Sequence, residues 1–221
     1  MDIVAARPVA PRGVATREAL LDAAETLIAD YGFHAPSHRM IAGEAGAHAA
    51  LVNYHFSSKE LLFEAAIERR AARLNAAWQA ALAEARANGN AGVEDILEAW
   101  WTPFDEIVPD ADEPWTRYLC VVARLASATD GETWHRRHFG AIDRAFETAL
   151  AASLPGKSRD DVEAGFRYAR SLFAEILLHR CGKIGGTCRP DGFREGDAPR
   201  LIRFLGAGMR GARDAATIDR V

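Results

Sequence analysis

The chain has 221 residues, 49% of them hydrophobic, enough to bury a substantial core in one large domain or two small ones. Its 27 Lys and Arg against 31 Asp and Glu leave a net charge of −4, which excludes a protein that grips nucleic acid by bulk positive charge. A single DNA-contacting end remains compatible with that balance. Cys120, Cys181 and Cys188 lack CxxC spacing, no apolar run reaches the ~20 residues of a membrane span, and the opening MDIVAARPVAPRG has no apolar signal core. The expectation is a cytoplasmic protein with reduced thiols and no membrane association.

Helical periodicity dominates and no alternating strand pattern stands out, so the expected class is all-α with about nine helices. Residues 1–15, with Pro8, Pro11 and Gly13 among Arg7 and Arg12, read as a flexible basic arm. A first helix over about 16–31 puts Leu20, Ala23, Ala24, Leu27, Ile28 and Tyr31 on one face and stops at Gly32. A second is expected over about 37–45, and a third over about 48–54. A fourth starts at Ser57, which has capping-box spacing to Glu60, and runs for about 30 residues. Further helices are predicted over about 93–108, strained near Pro103, and over 113–129, 132–153 and 158–181. A Gly-rich loop over 183–196 and a last helix over 197–216 complete the chain.

The stretch from Ala35 to Leu62 carries the chemistry. Two short helices flank a Glu44-Ala45-Gly46-Ala47 turn and are followed by Asn53-Tyr54-His55-Phe56 and Ser58-Lys59-Glu60-Leu61. A helix, a Gly-containing turn and a second helix with exposed polar ends form a helix-turn-helix. Ile41, Ala45, Val52 and Phe56 are the expected pins between the two helices, with Gly46 at a positive φ. Together with Tyr31-Gly32-Phe33 and Ile41-Ala42, these residues closely resemble the TetR family of transcriptional regulators, over about 14–63. The resemblance implies a double-stranded DNA operator as partner and a third helix in the major groove, lined by His48, Ala49, Ala50, Leu51 and Asn53. Asn53 would pair with adenine and Ala50 or Leu51 would meet a thymine methyl. Arg39 reaches a guanine or a phosphate, while Ser37, Tyr54, His55 and Lys59 are phosphate candidates. Two positions depart from the family's pattern: Pro36 replaces a usual hydroxyl residue, and Ala47 replaces a usual Val.

The remainder of the chain, 64–221, is rich in large aromatic side chains, which fill a helical core or wall a ligand pocket. The resemblance favours an effector pocket within it, next to the helix-turn-helix domain at 16–63. Candidate lining residues are Trp78, Trp100, Trp101, Phe104, Trp115, Trp134 and Phe173, with Tyr118, Arg124, His138 and His179 as polar groups that orient a small-molecule effector. Arg73-Leu74-Asn75 and Asp95-Ile96-Leu97 loosely resemble a subgroup that includes fatty-acid-responsive repressors. The resemblance also implies a homodimer built from the last two helices, through Phe166, Phe173, Leu177, Leu201, Leu205 and Met209, with Gly206, Gly208, Gly211 and Ala212 allowing close approach.

Glu132-Thr133-Trp134-His135 has the Glu-x-x-His spacing of a di-iron bundle but lacks the second copy such a site needs. No phosphate-binding loop or nucleophile elbow appears, so no catalytic residue, metal site or cofactor is expected. Two functions follow from these residues. One is a repressor released from a palindromic operator by a small apolar or amphipathic effector. The other is a DNA-bound adaptor controlled by a protein partner.

Overall fold

The computed structural model describes residues 12–87, 89–107, 113–125, 128–181 and 196–211, with the side chains of 12, 107, 113 and 179–181 left aside. Among the described residues are nine helices and no strand: α1 Arg12–Tyr31, α2 His38–Glu44, α3 Ala49–His55, α4 Lys59–Arg86, α5 Val93–Ile107, α6 Glu113–Arg124, α7 Gly131–Ser153, α8 Arg159–Cys181 and α9 Asp197–Gly211. None of these is long and apolar enough to cross a membrane. Residues 183–195 of the loop expected over 183–196, residues 1–11 of the expected arm and the end of the last helix lie outside the described residues.

The helix ends follow local chemistry, and several differ from the sequence expectation, α6 ending at Arg124 instead of 129 among them. Residues 12–15, expected in the arm, already belong to α1; a lone Gly13 costs a helix only ~1 kcal/mol. The cap of α4 is Ser58 rather than Ser57: its Oγ accepts from the Leu61 N–H at 3.2 Å. Glu60 then lies in the first turn, where its own backbone N–H and the Ser58 hydroxyl hold its carboxyl below the usual value. At the other end of α1, Gly32 adopts φ +75°, a left-handed exit that L side chains resist, and its N–H donates to the Ile28 carbonyl at 2.8 Å.

One apolar core runs without a break from Leu20 to Met209. α1 packs on α4 and α6, α4 on α5 and α7, α8 on α6 and α9, and α9 on α5. The long α4 is pinned to α1 by Arg69. Its Nη2 lies 2.7 Å from Asp22, its Nη1 3.2 Å from Glu18, and its Nε donates to Glu25 at 3.1 Å. Glu25 is 1% exposed, and burial raises its pKa against the pull of Arg69 and Arg70. The charges on Arg69 therefore form a cluster that ties the DNA-proximal end to the helices beyond it.

Cys120 is disulfide-bonded, contrary to the expectation of reduced thiols. Spacing along the chain carries no signal for a pairing that the tertiary fold creates; the side chains of Cys181 and Cys188 lie outside the described residues.

Candidate nucleic-acid interface and body cavity

α2 and α3 divide their side chains cleanly between inside and outside. Ile41 and Val52 are fully buried, Phe56 nearly so, and Ala45 packs against them. Gly46 turns the chain at φ +61°, and the Ala47 N–H reaches back to the Ala42 carbonyl at 2.8 Å. An added Cβ at Gly46 would meet nothing within 4 Å, so the requirement for glycine there is conformational rather than steric.

Everything expected to meet DNA stays on the outer side. Arg39, His48, Ala49, Ala50 and Asn53 are exposed, Leu51 and His55 are half-buried, and Tyr54 is 81% exposed. An aromatic ring so exposed contributes little to the fold, which leaves it free to contact a partner. His48 is the residue before α3 and Ala49 opens it, so the expected start of this helix shifts by one residue. Ser37 caps α2 by accepting from the Met40 N–H at 3.3 Å, leaving its own O–H as a donor. The Lys59 ammonium lies 5.6 Å from the centre of the Phe63 ring, and Arg17 sits 5.2 Å from that of Phe56. Pro36, the departure from the usual hydroxyl, is buried and fills the joint ahead of α2.

Deeper in the molecule, the aromatic residues sort into core and wall. A cavity of about 200 Å³ is bounded by Trp78, Trp100, Phe104 and Phe173, with Val122, Leu125 and Leu177 completing its apolar side. Trp78 stacks on Trp100 at 4.2 Å between centroids, and its Nε1–H donates to the Trp100 carbonyl at 2.8 Å. Four of the sequence-predicted ligand residues therefore line the cavity.

The others do not. Trp101 bonds Asp105 at 2.6 Å, Trp115 lies under the guanidinium groups of Arg70 and Arg73, and Trp134 packs on Phe33. Tyr118 is fully buried and donates to the Ile67 carbonyl at 2.7 Å, and burial pushes its hydroxyl pKa far up. His138 faces Glu64 from α7 at 3.6 Å. The His179 side chain lies outside the described residues. Arg124 spans two elements instead of entering the cavity: its Nε donates to the Ala29 carbonyl at 2.7 Å and its Nη2 to that of Asp30 at 3.3 Å. A guanidinium on the last carbonyls of α1 suits the negative end of that helix.

The polar wall of the cavity comes from residues that sequence reasoning did not assign to it: Glu132, His135, Arg167, Arg170 and Ser171. Behind them the buried Asp143 carboxylate accepts from Arg170 Nη1 at 2.6 Å and from His135 Nε2 at 2.9 Å. The available signal was the spacing of Arg167, Arg170 and Ser171, which puts three polar side chains on one face of α8. His135 is thus a partner of Asp143. Among the described residues no three His, Cys, Asp or Glu side chains are grouped to hold a metal ion.

The residues predicted for the dimer interface are also redistributed. Phe166 stacks on Phe146 at 5.9 Å, while Phe173 and Leu177 line the cavity, so all three face the interior. Leu201, Leu205 and Met209 are buried within the chain as well. Gly206 lies where α9 meets α5, and a Cβ there would run into the Glu94 side chain. The apolar groups left outside on α8 and α9 are Tyr168, 59% exposed, and Phe204, 72% exposed. They flank a second cavity with Val162, Gly165 and Gly208. Both helices thus carry apolar side chains on two sides, an inner one that includes the predicted residues and an outer one that includes Tyr168 and Phe204.

A helix-turn-helix with an outward polar face, carried on a helical body with an internal cavity, defines a DNA-binding transcriptional regulator. Residues 20–66 match the family model of bacterial regulatory proteins of the tetR family, and residues 98–208 match that of the tetracyclin repressor-like C-terminal domain. The chain belongs to the TetR family. The same fold occurs in the fatty acid degradation regulator FadR from Bacillus halodurans, at 16% identity and TM-score 0.56 over 94% of this chain and all of that one. It recurs in a TetR-like transcriptional regulator from Rhodococcus sp. RHA1, at 22% identity and TM-score 0.55 over 92% of this chain and 100% of that one. No curated protein sequence matches the chain.

Proposed function

We infer that this regulator is a cytoplasmic homodimeric repressor that reads a twofold operator with α3 and releases it when a small apolar or amphipathic effector fills the body cavity. Residues 16–63 read DNA, with Asn53, Ala50 and Leu51 at base edges and Ser37, Tyr54, His55 and Lys59 at phosphates. Residues 64–221 sense the effector and pair the subunits. The second subunit is held across the outer faces of α8 and α9 by Tyr168 and Phe204. Two copies match the symmetry of a palindromic site.

The observation that carries this reading is the Arg124 link. α6 supplies Val122 and Ala123 to the cavity wall, Leu125 follows it there, and its last residue, Arg124, holds the carbonyls that end α1. A ligand that displaces this wall shifts α1, and with it the helix-turn-helix packed against α1. Such a shift needs only a difference in ligand affinity between two positions of α6. Nothing comparable favours the adaptor reading.

Selection of bound duplexes from random DNA supplies the operator, and inverted half-sites bound by two copies are expected. An Arg124→Gln variant should then bind effector with unchanged affinity while its operator complex no longer responds to it. Binding of a single half-site by a monomer, or a normal effector response in the variant, would overturn the scheme.

A further inference from the structure

The cavity is small and its two walls differ in kind. An apolar cavity of ~150 Å³ holds one benzene, so about 200 Å³ holds a single ring with a short substituent and not a long acyl chain. Four aromatic side chains, Trp78, Trp100, Phe104 and Phe173, surround that volume. Edge-to-face and stacked contacts already run through Trp78, and a further ring continues the pattern.

The same cavity is bordered by a donor-rich strip of α8. Arg167, Arg170 and Ser171 lie at i, i+3 and i+4 and all border the cavity. Arg167 is exposed, which puts it towards the mouth, whereas the Arg170 side chain is only 16% exposed. Asp143 takes Arg170 through Nη1 and, with the same oxygen, orients His135. That bond, with the Phe166 ring 5.7 Å from the Arg170 Cζ, holds the guanidinium in place. Among the described residues Nη1 has the only hydrogen bond of that guanidinium, so Nη2 is free to donate. Glu132, the one carboxylate on the cavity wall, is exposed and belongs to α7 rather than to the α8 strip. A planar carboxylate suits a preoriented guanidinium better than any neutral head.

We propose that the effector is a single-ring aromatic carboxylate, its ring among Trp78, Trp100, Phe104 and Phe173 and its carboxylate on Arg170 with help from Arg167 and Ser171. This assignment rests on the reading of the protein as ligand-responsive and specifies its ligand class.

The test compares three probes on the full chain by titration calorimetry and tryptophan fluorescence: 3-phenylpropanoate, the matched neutral 3-phenylpropan-1-ol, and palmitate. The acid should bind about tenfold or more tightly than the alcohol, the range of a hydrogen bond to a charged group. Arg170→Lys, which leaves a cation for Asp143, should lower that preference to below about threefold without weakening the alcohol, and the exposed Arg167→Gln should halve it or more. Ala174→Phe, which fills the cavity, should abolish binding of both. Equal affinity for acid and alcohol, or binding of palmitate alone, overturns the carboxylate assignment and leaves an effector-responsive regulator standing. If none of the three probes, nor phenol or indole, shifts fluorescence or thermal unfolding, the effector reading falls with it.

Discussion

The DNA-facing end and the cavity-bearing body use apolar and polar side chains in opposite ways. In the former, the residues that build the fold and those that meet DNA are separate sets. Ile41, Val52 and Phe56 are buried, while Asn53 and Tyr54, between Val52 and Phe56 in the chain, are exposed. In the body the sets coincide: Trp78 is fully buried core and also cavity wall, as is Phe173 at 1% exposure. Operator specificity is therefore open to change at little cost in stability, whereas a change of effector disturbs the core that holds the body together.

The largest expected effect tests the coincidence in the body. Trp78→Ala removes the ring stacked on Trp100 and the hydrogen bond to its carbonyl. It should cost about 3–5 kcal/mol of unfolding free energy, read from the urea midpoint, and should alter ligand binding as well. A loss of binding with unchanged stability would separate the two roles and break the comparison. Next in size, Asn53→Ala should cost about 1–3 kcal/mol of operator affinity and relax one base position. Because the side chain is exposed, its stability should stay within ~0.5 kcal/mol of the parent. Unchanged base preference would return Asn53 to a solvated helix residue.

The same contrast explains what was legible in the sequence. Helix-turn-helix spacing is local: Ile41, Gly46, Val52 and Phe56 lie within sixteen residues, and each has a role that its neighbours enforce. The body has no such short-range grammar. Trp101, Trp115 and Trp134 are as large and apolar as Trp78, and only the tertiary packing decides which of them borders empty space. Phe166 and Leu177 read as a partner-facing stripe because helical period locates a face without saying what covers it. The polar wall was missed for a related reason. Arg167 and Arg170 look like solvated charge until Asp143, far back on another helix, is seen to hold Arg170 inward.

The smallest effect concerns the seam where α4 meets α7, between the two regions. His138 faces Glu64 there, and its own carbonyl accepts from Asn75 at 2.8 Å. Burial lowers the imidazole pKa, and Arg137 adds to this, while Glu64 and Glu68 oppose it. The folded chain therefore binds this proton less readily than the unfolded one. The stability linked to the neutral ring is complete above the ordinary imidazole value of ~6.5 and is lost as pH falls through the lowered value. His138→Asn removes the titration, so its melting temperature should fall less steeply than that of the parent between neutral and mildly acidic pH. Parallel slopes would show that His138 does not carry the acid sensitivity. In the α1–α4 cluster Glu25 has the opposite sign, because its raised pKa adds stability in acid that disappears as pH rises. A difference between the two slopes therefore isolates the α4–α7 seam from the cluster that anchors the DNA-binding end.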